Sequence, residues 1–465
     1  MLPKWPAGDG IGAHGAAFFD PTRTNFAARQ KNRFEWLPPP VPAHTRRALI
    51  DARSQRPITA PENRMTESLI QLPTAGEPVI DTFDRMIRTG PIVPYELPGG
   101  VRAWMAVSHQ AVSEVLAGDG TVFSKSTRNC PAMHDGTVPA DWPLRVLTDA
   151  DHLLNKDGAD HLRMRRAIAR AFTPARVAQL EPRIQQLTND LIDNFADQLE
   201  VDLVDNFTMP LPVGVICELF GVPAGDQPKF RGWTATLISH NSTGEQTQAA
   251  MQEMVGYLTG LVADKHANPG DDLTSDLVRA QPEHGLADAE LVEMLWIIIV
   301  AGHETTMHLL GNAVVALYTF PEQLAAARAG NRWADVVEET LRYRNAACAM
   351  FNRYALHDVR IAGVDIPAGA IVGWYAGVGR DRRKYPDADV FDIDRDNSDQ
   401  LGFGRGPHFC LGAHLARLES RIALATLFDR FPQLRLACEP AEIPYAPQFM
   451  TNGPLCVPVQ LRSVD

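Results

Sequence analysis

A chain of 465 residues, 45% of them hydrophobic and 22% charged, has ample material for a core, and its length allows about three domains or one large one. The formal charge of −12 excludes general nucleic-acid binding, which requires a basic footprint. Six cysteines (Cys130, Cys217, Cys348, Cys410, Cys438, Cys456) stand far apart with no C-x-x-C pair, which excludes a zinc cluster and leaves most of them as small buried hydrophobes in a reducing compartment.

The first 64 residues differ from the rest. They carry ten Lys/Arg and five Asp/Glu, net +5, so the remainder carries 34 against 51, or −17. Nine prolines, including Pro38-Pro39-Pro40, and no sustained period predict a disordered extension over 1–64 and a folded domain over 65–465. No run approaches the ~18 apolar residues of a transmembrane helix. The N-terminus lacks the basic-then-apolar order of a signal peptide, so the expected location is the cytoplasm, away from membranes.

Leu97-Pro98-Gly99-Gly100 before Val101–Met105 predicts a hairpin. Long amphipathic helices then run to about Tyr343. One begins at Asp160-His161-Leu162-Arg163-Met164-Arg165-Arg166 and ends near Phe172-Thr173-Pro174. His161 and Arg165, at i,i+4, share a face, while Arg163, Arg166 and Arg170 form a neighbouring outer face. A positive face on an acidic protein suits an acidic partner.

From about Asp288 to Phe320, ending at Pro321, the sequence predicts a helix about 50 Å long at 1.5 Å per residue. Leu295–Ala301 is apolar all round and should be buried. Gly302 follows, costing about 1 kcal/mol in mid-helix and opening a groove against the backbone. Then come an acid and an alcohol, Glu304 and Thr305, in an otherwise apolar stretch. A buried carboxylate is expensive without a partner or a task. His303, Glu304 and His308 do not make a zinc peptidase, because H-E-x-x-H needs its second histidine at i+4 and Met307 stands there.

Trp333–Tyr343 is again helical, with Glu339 and Arg342 on one face at i,i+3. Short strands return at Val359-Arg360-Ile361 and Ile371-Val372-Gly373-Trp374, punctuated by Gly363, Pro367 and Gly369. The whole reads as mainly α with small β-sheets, one large domain built around a long central helix.

Cys410 stands apart from the other cysteines. It ends the glycine-rich loop Leu401–Phe409 and precedes a helical run from Ala413 to about Arg430. A helix N-terminus favours a thiolate through free amides and the dipole. Gly404 and Gly406 allow a sharp turn that brings loop N–H groups near the sulfur, and Gly412 leaves room for a flat, bulky group.

Phe403, Gly404, Gly406, His408, Cys410 and Gly412 match F-G-x-G-x-H-x-C-x-G, and this loop resembles that of the cytochrome P-450 superfamily. Ala301, Gly302, Glu304 and Thr305 resemble its oxygen-side motif A-G-x-[DE]-T. Glu339 and Arg342, about 70 residues before the cysteine loop, resemble its E-x-x-R. The resemblance spans nearly all of residues 70–460. It implies a haem-thiolate oxygenase domain carrying haem b, with Cys410 as axial ligand, the ligation that favours O–O cleavage. It implies Thr305 as hydrogen-bond donor to oxygen and Glu304 in a proton relay. His161, Arg165, Arg353 and His408 would bind the haem propionates. Before His161 the family's D-P-P-[DE] is here Asp157-Gly158-Ala159-Asp160, which loosens the loop geometry but leaves His161 and Arg165 in place. Glu339, Arg342 and Arg395 would form a structural ion pair holding the cysteine loop. Without a flavin or dinucleotide fingerprint, reduction is expected from a separate ferredoxin and its reductase. The substrate stretches, Cys130–Leu154, Trp296–Val300, Ala346–Phe351 and Gln448–Thr451, are mostly apolar and suit a small lipophilic or aromatic molecule. Asp141-Trp142-Pro143-Leu144 resembles actinobacterial members, which implies a monooxygenase of secondary metabolism. Oxidative aromatic coupling on the same haem is the alternative, and a non-catalytic haem sensor would leave Glu304 and Thr305 idle.

Overall fold

The computed structural model describes residues 69–71, 79–142, 144–238, 243–445 and 449–462, all within one compact unit, Ser68–Asp465. The extension expected over 1–64, and Gln448, lie outside the described residues.

The central helix is Asp288–Thr319. Asp288 and Glu290 in its first turn favour the positive end of the dipole, and Glu290 also accepts from the Ala287 N–H at 2.9 Å. Phe320 leaves helical geometry and Pro321 opens the next helix, Pro321–Gly330. The central helix is the one described helix long and apolar enough to cross a membrane, but two thirds of its apolar window is packed inside the protein (67%), which makes it a core helix. Around it pack Pro210–Phe220, Gly244–Ala267, Trp333–Tyr343 and Ala413–Arg430. Trp333 stacks on Phe428 at 5.1 Å with the rings nearly parallel, joining two of these helices.

The sheets form a second, smaller core. A six-stranded sheet runs in the order Ile70–Gln71, Ile92–Leu97, Val101–Ala106, Ile371–Tyr375, Ala349–Ala355, Phe123–Ser124. The expected hairpin pairs Ile92–Leu97 antiparallel with Val101–Ala106, and Gly99 and Gly100 at its tip have positive φ. The register of Ala349–Ala355 against Ile371–Tyr375 shifts between Met350 and Arg353. Val359–Ile361 pairs with Val364–Ile366, and Arg435–Leu436, Pro458–Gln460 and Glu200–Asp202 make a third small sheet.

One expectation for the central helix needs correction. Leu295, Trp296, Ile297 and Ile299 are buried, but Val300 is half-buried and Ala301 is exposed. Glu293, Val300, Ala301, Glu304 and Thr305 share one side of the helix at about 100° per residue, and none is fully buried. That side faces an opening in the interior, so apolarity all round does not mean burial all round.

Candidate active site

The loop Leu401–Phe409 turns at Gly404 and Gly406, both with positive φ. The Cys410 N–H donates to Phe403 O at 2.9 Å, which closes the loop on itself. The helix that follows starts at Ala413, with Gly412 as its cap residue. A Cβ added to Gly412 would meet nothing within 4 Å, so open space lies beside the cysteine. The sequence points to loop N–H groups near the sulfur; the backbone N–H at the sulfur belongs to Gly412, after the cysteine. Gly404 N–H donates to Leu401 O at 2.9 Å, and it is the Gly412 N–H that serves Cys410. Burial pushes the Cys410 thiol up, against the smaller opposing effects of the Gly412 N–H, Arg165 and Arg417. At this helix terminus burial works against the thiolate, while the Gly412 N–H and the two arginines favour it.

Next to this loop, His161 and His408 lie ring to ring, 4.2 Å between centroids. Arg165 Nη2 donates to Phe409 O at 2.6 Å, tying the helix Gly158–Ala169 to the cysteine loop. Arg353 is buried and its guanidinium forks onto Asp119 at 2.6 and 2.7 Å, 5.7 Å above the Trp374 ring. Lys125, also buried, donates to Asn352 Oδ1 at 2.8 Å, and burial together with the nearby Arg353 charge lowers it to about 7. Asp157 accepts from Ser124 Oγ and the Lys125 N–H, so the departure from the family's proline pair leaves this loop anchored. Four buried nitrogens here have no hydrogen-bond partner, His161 Nε2, His408 Nδ1, Arg353 Nη1 and Trp374 Nε1, and neither has one acceptor, Asp157 Oδ1. Burial, then the charge of Arg165, lowers His161; burial, then the charges around it, lowers His408. Three cations and four unpartnered nitrogens, only partly offset by Asp119 and Asp157, call for an anion. Lys125, Asp119 and Trp374 escaped the sequence reading. Asp119 and Arg353 are 234 residues apart, and no local pattern joins them.

On the central helix, Thr305 Oγ1 donates back to Ala301 O at 2.6 Å. Glu304 is turned elsewhere: its Oε1 accepts from Thr451 Oγ1 at 2.9 Å and stands 3.4 Å from His308 Nε2. Farther along, His152 and Trp296 stack at 6.0 Å, and neither ring nitrogen of His152 nor the Trp296 indole N–H has a partner. Burial lowers His152 to about 4, so its ring is neutral at pH 7.

Glu339 and Arg342 are both fully buried and joined by two hydrogen bonds of 2.6 and 2.9 Å. Arg342 also donates to Gly379 O, Ala388 O and Val390 O. Glu339 further accepts from the Asp392 N–H at 2.9 Å and Asn397 Nδ2 at 3.0 Å. Arg395 Nε lies 3.4 Å from Glu339, with its other nitrogens on Asp387. The neighbouring Glu338 reaches Arg417 beyond the cysteine, at 2.5 Å.

The outer arginine face is partly engaged within the protein. Arg163 pairs with Glu290 at 2.6 Å and Arg170 with Glu283 at 2.7 Å, while Arg166 is exposed. Two of the three charges have intramolecular partners.

The comparisons agree with this geometry. The Cytochrome P450 family pattern matches residues 334–447. Cytochrome P450 monooxygenase PikC of Streptomyces venezuelae is 38% identical over 414 residues, covering 84% of this chain and 96% of that protein. CYP154C4 from Streptomyces sp. W2061 superposes with a TM-score of 0.79 at 36% identity, over 85% of this chain and 98% of that one. The structure of CxnD, described as the P450 enzyme for C–S bond formation in chuangxinmycin biosynthesis, gives 0.77 at 33% identity, over 86% and 98%. Fold and site define an oxidoreductase that works on a haem. The chain belongs to the cytochrome P450 family and is a monooxygenase. The residues present fit haem: the open side of Gly412 and Ala301 leaves room for it, and the unpartnered atoms beside Cys410 suit its carboxylates.

Proposed function

We propose that this protein is a cytoplasmic haem b monooxygenase of natural-product biosynthesis, reduced by a separate ferredoxin and its reductase, with Cys410 as the iron's ligand. The observation that carries the assignment is the cluster of buried, unpartnered polar atoms on His161, His408, Arg353 and Trp374 beside the cysteine loop. His161, Arg165, Arg353 and His408, joined by Lys125, would hold the propionates. Haem supplies the iron at which dioxygen is activated. The chain itself supplies the thiolate at Cys410 Sγ, the hydroxyl of Thr305 and the carboxylate of Glu304. Glu339, Arg342 and Arg395 hold the segment 379–397 and, through it, the cysteine loop. The domain spans 65–465, with residues 1–64 an extension to it.

The substrate is a small lipophilic or aromatic molecule. The half-buried residues along the central helix receive its apolar body, and the unpartnered nitrogens of His152 and Trp296 suit an uncharged oxygen function on it. Oxidative coupling without oxygen insertion is the second reading. It draws on the Thr305 hydroxyl, which is tied to Ala301 O, and on the likeness to CxnD. The test of the primary assignment is Cys410→Ser. The reduced protein with carbon monoxide should lose its thiolate-type spectrum. If Cys438→Ser or another cysteine variant loses it while Cys410→Ser keeps it, the assignment is wrong.

A further inference from the structure

Glu304, His308 and Asn312 follow one another at i, i+4 and i+8 on the central helix and form one polar stripe. All three side chains of the stripe lie against the segment 449–454, and Asn312 also reaches Arg344. Asn312 Nδ2 donates to Asn452 O at 2.9 Å and to Arg344 O at 3.0 Å. Thr451 donates to Glu304 Oε1, the same oxygen that His308 Nε2 approaches. Gly453 lies against the His308 ring so closely that a Cβ there would come within 1.9 Å of Nδ1. On that side the ring is blocked by the backbone.

His308 is only 3% exposed, and neither of its nitrogens has another hydrogen-bond partner. A buried imidazole left without one is expensive, so a ring held in this position and aimed at one carboxylate indicates a task there. Burial pushes the Glu304 carboxyl up, yet His308, Thr451 and His303 together hold it below the ordinary range. Of the groups nearby, His303 on the same helix is turned to Met209 O at 3.2 Å. Arg344, beyond Asn312, stacks on Tyr445 at 4.3 Å. His308 is the one that points at Glu304.

We propose that His308 is the positioning residue of Glu304: with Thr451 it holds Oε1 against the 449–453 segment and so sets when the carboxylate takes up a proton. The proposal rests on the reading that Glu304 serves the proton supply, and deepens it. The contact of 3.4 Å is long, as such contacts often are before substrate binds.

The experiment is an infrared titration of the ferrous, carbon monoxide-bound holoenzyme, with the Glu304 band identified by its loss in Glu304→Gln. His308→Leu should move the midpoint of that band upward, and His308→Asn, which keeps an amide donor, should restore part of the difference. An unshifted midpoint in His308→Leu overturns the proposal, as does an equal shift in both variants. Should His308→Leu fail to load haem, His308→Asn decides alone: the midpoint of its Glu304 band should lie above that of the parent, and an unshifted midpoint overturns the proposal. Peroxide yield per electron separates the two readings. A moved midpoint with unchanged peroxide leaves His308 as the positioning residue and removes Glu304 from proton supply.

Discussion

Removing the Glu339 carboxylate is the most informative single perturbation of the scaffold. In Glu339→Ala the Arg342 guanidinium keeps its three carbonyl partners, at 2.7 to 2.9 Å, but loses the carboxylate paired with it while remaining buried. The Asp392 N–H and Asn397 Nδ2 lose their acceptor as well. Breaking a buried pair by removing one partner costs roughly 3–5 kcal/mol. Against a total stability of about 5–15 kcal/mol, that is roughly a fifth or more of what holds the domain. Urea unfolding followed by tryptophan fluorescence, with haem content measured in parallel, reads the loss directly. Glu339→Gln should cost less, since its amide oxygen still accepts from Asp392 and the charge alone is gone. A haem-loaded Glu339→Ala protein within about 1 kcal/mol of the parent would refute the reasoning, because no desolvated arginine could be that cheap.

Thr305→Ala should retain substrate binding but divert reducing equivalents to peroxide, measured as product per electron; an unchanged yield favours the coupling reading. Glu419 is buried in the helix Ala413–Arg430 with no partner for Oε1, and burial pushes its carboxyl up to about 8. The folded state keeps this proton while the unfolded chain releases it near its ordinary value. Stability should therefore fall by a few kcal/mol as pH rises from about 4.5 to about 8. Glu419→Gln should flatten that fall in urea midpoints, and an identical pH slope in both proteins argues against the buried acid. Arg166→Glu should slow ferredoxin-driven reduction in low salt and leave peroxide-driven turnover intact, an effect that fades as the Debye length drops from about 10 Å at 0.1 M to about 3 Å at 1 M. Equal stopped-flow reduction rates at low salt would dismiss this face.

Local sequence was enough to bound the elements that carry the site. The helix Trp333–Tyr343 has the limits its periodicity predicts, and the central helix ends one residue short of the expected Phe320. Both follow from neighbour effects along the chain: apolar spacing, acidic first turns, and proline stops. The hairpin at Gly99-Gly100 is legible for the same reason. Tertiary structure decided where side chains turn and what they meet. Arg353 meets Asp119, Arg163 meets Glu290, and Glu304 turns to Thr451 and His308. Glu304 and His308 could be seen as neighbours on one helix, but Thr451, which donates to Glu304, is 147 residues away along the chain. Helical period gives the angle at which a side chain leaves its own axis and contains nothing about the segment waiting there. Ala301 makes the same point: its composition calls for burial, and only the packing of the whole domain leaves an opening beside it.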